Sequence, residues 1–230
     1  MLIDVAPAEV FGTNCWIIAN GPGSECLIVD PGISTPDHLA LIEPILKRHN
    51  LKPIASLITH GHLDHTFSVA PLCEGYGIPA YIHHQDRALL ADPFLALMPG
   101  GPLRQLMSSM GREEFLEPAS VVEVKDGAKL SFAGIDLTVL HAPGHTMGSI
   151  MFLLNDEHLI SGDVLFENGI GRTDLPTSSD AKMRISLREK VLTLDDSVIV
   201  HPGHGRETTI GRERKNSPYL QENYLKGGVA

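Results

Sequence analysis

Residues 54–65 read IASLITHGHLDH: an apolar, strand-like run that ends in His60, His62, Asp64 and His65. A strand that stops in a glycine-containing loop can aim several side chains at one point, free of the packing limits of a helix. The donors on offer are imidazole nitrogen and carboxylate oxygen, which suit Zn²⁺, Fe²⁺ or Mn²⁺. Structural zinc sites draw on cysteine instead, and none stands here. Four more passages have the same character, an apolar run and then glycine with a ligand type: VDPG at 29–32, HAPGH at 141–145, SGD at 161–163 and HPGHG at 201–205. They contribute Asp30, His145, Asp163 and His204.

Around these passages the periodicity alternates between two and 3.6. NCWIIAN and CLIVDPG read as paired strands about the turn NGPGS. From Pro36 to Asn50 the pattern is helical, with Leu39, Ile42, Leu46 and His49 on one stripe and Ser34 or Thr35 available as cap. Leu63 to Tyr76 reads as a helix and PAYIHH as a short strand. Hairpins are expected at Ala133-Gly134 and Asn155-Asp156, a helix from Ala181 to Leu194, and a last strand in SVIVHPGHG. Strand groups each followed by helices predict an α/β chain of two face-to-face sheets with helices outside. One domain spanning 1–230 accommodates this. The stretch 92–120, rich in Leu, Met and Phe and broken by PGGP, reads as a helical insertion or an apolar flap near the site.

The composition is ordinary for a globular chain except for its 12 histidines in 230 residues. A formal charge of −10 argues against a nucleic-acid surface, and no apolar run is long enough to span a bilayer. The start MLIDVAPAEVFG has no basic segment followed by an apolar one, so no secretory signal is expected. Three cysteines without CxxC spacing read as reduced buried thiols of a cytoplasmic protein.

Together VDPG, HxHxDH, PGHTxGS, the GD before LF, and PGHG resemble the metallo-β-lactamase superfamily, over nearly the whole chain. The segment SGDVLFENGIGRTDLP is similar to its short, single-domain glyoxalase II-like (hydroxyacylglutathione hydrolase-like) members. The resemblance implies a four-layered αβ/βα sandwich with two divalent metal ions, most simply Zn²⁺ with Fe²⁺ or Mn²⁺ as alternatives. It places His60, His62 and His145 on the first metal, Asp64, His65 and His204 on the second, and Asp163 between them. Asp30 matches a position that steadies the metal loop. The implied activity is hydrolysis of an acyl thioester of a low-molecular-weight thiol, by a hydroxide shared between the ions, with Asp64 orienting the nucleophile. Dedicated glyoxalase II enzymes carry a further C-terminal helical region, whereas this chain ends soon after His204.

A persulfide dioxygenase with a mononuclear iron is the alternative. It shares the fold and a GRTDF-type segment, where this chain reads GRTDLP. A β-lactamase would be exported and often has cysteine where Asp163 stands. A nuclease would carry a second domain and a basic face, and a turnover-free metal module would be cysteine-rich. Ser149 and Ser161 lie outside any GxSxG elbow and read as structural. His83, His84 and His141 read as loop or supporting residues, His201 as a strand end, and His38, His49 and His158 as surface residues. Arg172 pairs with Asp174 or meets an anionic substrate. Arg172, Lys182, Arg184 and Arg188 are the candidate contacts for such a substrate, a small molecule rather than a nucleic acid or a membrane.

Overall fold

The computed structural model describes residues 1–112 and 114–230. Its strands are β1 (Leu2–Pro7), β2 (Asn14–Ala19), β3 (Glu25–Val29), β4 (Lys52–Leu57), β5 (Ala80–His83), β6 (Val121–Val124), β7 (Lys129–Phe132), β8 (Ile135–His141), β9 (Ile150–Leu154), β10 (His158–Gly162), β11 (Ile199–Pro202) and β12 (Thr208–Thr209). Among the described residues they form two six-stranded sheets, ordered β1-β2-β3-β4-β5-β6 and β12-β11-β10-β9-β8-β7. In the first sheet the hairpin strands β1, β2 and β3 are antiparallel, and β3 to β6 run parallel. In the second, β7 to β10 are antiparallel neighbours and β11 joins β10 in parallel.

Alternation along the strands decides the layers. Trp16 and Ile18 of β2 and Leu27 and Val29 of β3 face the other sheet, where they meet Leu137, Val139, Phe152 and Ile160. Cys15, Ile17, Cys26 and Ile28 point the other way, under the helices α1 (Leu39–His49) and α3 (Val69–Tyr76); α2 (Leu63–Thr66) lies between these two in the chain and α4 (Ala88–Ala91) follows them. After α5 (Pro102–Ser109), the helices α6 (Asp180–Ser186), α7 (Ile210–Asn216) and α8 (Glu222–Leu225) cover the outer face of the second sheet through Met183, Ile210 and Tyr224. The result is the four-layered αβ/βα sandwich. Both hairpins turn where expected, with φ of 50° and 82° at Ala133-Gly134 and 47° and 58° at Asn155-Asp156, the left-handed pair that a tight β-turn needs.

Two helices and the placement of His38 differ from the sequence reading. The first helix begins at Leu39, with His38 at its cap position and no side-chain cap from Ser34 or Thr35. The His38 N–H donates to the Ser68 hydroxyl (2.9 Å) and the Leu39 N–H to Asp37 Oδ1 (2.9 Å), so side chains outside the helix hold the segment before Leu39. The helix expected from Leu63 to Tyr76 is two, α2 and α3, parted at Phe67-Ser68. Ser68 is drawn back to the loop after β3: its N–H donates to the Pro31 carbonyl (3.0 Å) and its hydroxyl to that of Gly32 (2.8 Å). His38, read as a surface residue, is fully buried; its Nδ1 accepts the Gly32 N–H (2.9 Å). His49 is only partly exposed and lies 3.1 Å from Asp4 Oδ2. No described helix is long and apolar enough to cross a membrane. All three cysteines are buried without disulfides, and burial raises their thiol pKa values, Cys26 and Cys73 to about 12.

Within 92–120, a short turn at Pro93–Ala96 and α5 fold over the α2 side of the first half. Met107 is buried against Ile33, Leu63 and Phe67, with Phe94 and Phe115 packed beside it.

Candidate metal centre

Four strand-to-helix or strand-to-strand loops converge at one edge of the sandwich. His60, His62, Asp64 and His65 follow β4, His145 lies between β8 and β9, Asp163 follows β10, and His204 follows β11. Donor atoms of His60, His62 and His145 lie within 4.8 Å of one another, and so do those of Asp64, His65 and His204. Asp163 stands between the two sets: its Oδ1 is 3.4 Å from His65 Nε2, and its Oδ2 is 3.4 Å from His145 Nε2 and 3.6 Å from His204 Nε2. Such approach needs bare backbone next door. A Cβ on Gly203 would run into the Asp163 carboxylate and the His65 ring, and one on Gly171 into the Asp163 backbone and the His145 ring.

An outer set of acceptors fixes how the rings face. Asp30 accepts from the Thr59 N–H (2.8 Å) and hydroxyl (2.5 Å), and its Oδ2 also takes the His65 Nδ1 (2.9 Å). His145 Nδ1 faces the Arg172 carbonyl (2.8 Å), and His204 Nδ1 that of Phe11 (3.2 Å). Each of these three rings therefore turns Nε2 toward the cluster. Asp30 is also near His60 and His65 as a third donor group, but its oxygens are already engaged by Thr59 and His65, so it orients rather than ligates. Asp86, which the sequence reading passed over, does comparable work. Its buried carboxylate accepts from Gly61 N–H (2.8 Å), Gly148 N–H (2.7 Å) and the Thr146 hydroxyl (2.6 Å). That one side chain joins the His60–His65 loop to the His145 loop.

Ser149 and Ser161 serve their own loops, Ser149 by accepting the Thr146 N–H and Ser161 by donating to the Leu165 carbonyl. His83 stacks on His141 at 4.0 Å, and His201 contacts His158 (3.0 Å) from the end of β11.

The donor set fits divalent cations. His60 Nε2 and Asp163 Oδ1 are buried with no hydrogen-bond partner, a costly state unless something else satisfies them. His62 Nδ1 and His145 Nε2 point at each other across 2.7 Å. Burial holds His60, His62 and His145 well toward the neutral form, His62 at about 3 and His145 at about 4, which leaves lone pairs free to ligate. Burial opposes charge on His65 as well, but Asp163, Asp64 and Asp30 surround it and raise its pKa to about 10. Burial pushes Asp64 up; the charge of His65 and the hydrogen bond from His204 outweigh that and leave its carboxyl well below the usual range. The carboxylates of Asp30, Asp64 and Asp163 around His65 favour positive charge at this point.

A cleft of about 500 Å³ opens over the cluster. His62, Asp64, His145, Asp163 and His204 line its floor, and Leu97, Met98 and Leu103 of the 92–120 stretch face Ile170 and Leu175 across it. Of the four basic residues singled out above, Arg172 lines this cleft, with its guanidinium paired to Asp174 at 2.9 Å. The structure does not bring the other three to it. Lys182 lies beside Met147 Sδ (3.3 Å), on the outer side of α6. Arg184 pairs with Asp180, stacks on Tyr224 and binds the Tyr224 carbonyl, tying α6 to the C-terminal segment. Arg188 is 3.7 Å from Glu189. Helical spacing turned them toward α8 and solvent. Arg104, on α5, lines the cleft along with Arg172.

The sequence pattern of the metallo-beta-lactamase superfamily matches residues 8–204. A probable metallo-hydrolase of Bacillus subtilis, YqgX, is 38% identical over 197 residues, covering 85% of this chain and 87% of that one. The hydroxyacylglutathione hydrolase GloC of Haemophilus influenzae is 32% identical over 221 residues, covering 96% and 98%. Among solved structures, the BLEG-1 B3 metallo-beta-lactamase superposes with a TM-score of 0.81 at 34% identity, covering 95% of this chain and 99% of that one. With its sandwich, its strand-end histidines and aspartates and these matches, the chain belongs to the metallo-β-lactamase superfamily and is a metallo-hydrolase of that fold.

Proposed function

We propose that the chain hydrolyses an acyl thioester of a low-molecular-weight thiol, using two divalent ions. The observation that carries this is the pair of facing three-donor sets with Asp163 between them, at the floor of an apolar-walled cleft. His60, His62 and His145 would hold one ion, Asp64, His65 and His204 the other, and Asp163 both. Bound, the ions supply a Lewis acid for the carbonyl oxygen and water acidified toward neutral pH.

The protein's own groups do the rest. Asp64 faces the cleft with Oδ2 3.4 Å from His204 Nε2, where its carboxylate can orient water and accept its proton. Leu97, Leu103 and Leu175 exclude bulk solvent from the acyl group. A thiolate leaves with little protonation, so this reaction needs no dedicated acid in the cleft. The kinship to GloC supports the substrate class.

The test is hydrolysis of S-lactoylglutathione by metal-loaded protein beside Asp64→Asn. Turnover that falls at least about 100-fold in the variant supports the reading. Oxygen uptake with a persulfide and one iron per chain would assign the dioxygenase instead. Turnover of a β-lactam with none of the thioester would assign a β-lactamase.

A further inference from the structure

Among the described residues, the cleft carries one cation that no carboxylate neutralises. Arg104 stands on α5, in the 92–120 stretch, and lines the same cleft as Asp64, His145, Asp163 and His204. Its guanidinium is held in place without being paired: the central carbon lies 4.3 Å above the Phe94 ring, and Nη2 donates to the Phe94 carbonyl (3.1 Å). Its Nε is buried with no hydrogen-bond partner. Among the described residues no carboxylate reaches it. Arg172, on the opposite loop, has a two-point pair with Asp174 at 2.9 and 3.0 Å.

A fixed guanidinium with no carboxylate partner in a largely apolar cleft is a receptor for a carboxylate, because charge-assisted bonds from its terminal nitrogens form at little further cost in side-chain order. The contrast with Arg172 says which arginine is free to act. The surroundings say the same: the chain is net acidic, at −10, so an anion reaches this site through a local charge rather than a general field.

We propose that Arg104 is a specificity-determining residue that binds a carboxylate on the thiol carrier of the substrate, away from the reacting carbonyl. The inference rests on the thioester reading for what reacts, and on Arg104 alone for what is recognised. The preferred substrates are thioesters of acidic, peptide-like thiols, with the acyl group against the apolar wall and the carboxylate at α5.

Two measurements on zinc-loaded protein test this. Calorimetry with S-hexylglutathione and with its dimethyl ester compares wild type, Arg104→Gln, Arg104→Lys and Arg172→Gln, each checked for unchanged metal content. Loss of a charge-assisted pair predicts that Arg104→Gln weakens S-hexylglutathione roughly 10-fold to 100-fold and leaves the ester bound no more weakly. Arg104→Lys recovers part of the loss, and Arg172→Gln changes affinity by less than about threefold, as for an exposed paired charge. In turnover, Arg104→Gln raises KM for S-lactoylglutathione with kcat within about twofold, and leaves kcat/KM for the neutral thioester S-lactoyl-N-acetylcysteamine unchanged. Equal weakening of acid and ester, or no weakening of either, overturns the proposal. A wild type that hydrolyses neither thioester sinks the thioester reading, while the calorimetric contrast still decides Arg104.

Discussion

Asp30 holds its backbone at φ +50°, a left-handed conformation that aspartate tolerates better than most residues, and from there its carboxylate reaches both Thr59 and the His65 ring. Asp86 spans a wider gap, from Gly61 to Gly148. We expect Asp30→Asn and Asp86→Asn each to lower zinc affinity about 10-fold to 100-fold, with little change in the far-UV circular dichroism. Competition against a chelator of known affinity measures this; unchanged affinity in both would remove the case for these carboxylates as organisers of the centre. The residues that converge at the candidate centre were legible in the sequence because HxHxDH packs four of them into one loop, and the rest sit at glycine-marked strand ends. Asp86 and Arg104 were not legible. HHQDR and PLRQL look like any loop and any helix, and only the tertiary fold brings them to the site.

If Arg104 selects the substrate as proposed, specificity turns on the 92–120 stretch. α5 is short, so its hold on the sandwich depends on Met107 sitting among Ile33, Leu63 and Phe67. Met107→Ala should cost about 2–5 kcal/mol if the whole domain feels the cavity. A smaller loss in urea unfolding, with rapid proteolytic nicking between Pro93 and Ser109, would instead show that this wall opens on its own. In both cases KM should rise more than kcat falls, because α5 supplies the cleft wall and none of the metal donors. The sequence marked this segment by its Leu, Met and Phe content and its PGGP break. It also predicted a single helix from Leu63 to Tyr76, since nothing local at Phe67-Ser68 forbids one. The break comes from hydrogen bonds between Ser68 and the Pro31 and Gly32 carbonyls, more than thirty residues away in the chain.

At the scale of the whole molecule, the sequence displays alternation openly in β8, whereas β2, β3 and β9 are continuous apolar runs, as strands covered on both faces should be. Edge elements such as β1, β6 and β12 escaped notice because they are short or half-exposed and carry weak patterns. Burying so many histidines ties stability to pH. His38 is buried, and burial lowers its pKa from 6.5 to about 4, with the Ala6 and Pro7 carbonyls opposing only in part. Between those values the unfolded chain binds a proton that the folded one refuses, so stability present above pH 6.5 is lost as pH falls toward 4. His38→Gln should start less stable at pH 7.5 and lose less than the wild type over that window, as read by urea midpoints at matched ionic strength. Identical slopes in the two proteins would mean that His38 does not titrate this way.

The central claim is that two facing donor sets hold two ions and that both are needed for hydrolysis. Chelator-stripped protein titrated with Zn²⁺, with bound metal and S-lactoylglutathione hydrolysis followed on the same samples, tests it most directly. The structure predicts that activity is absent without metal and reaches its plateau only at about two ions per chain. Full activity at one ion, or activity that survives stripping, would contradict it.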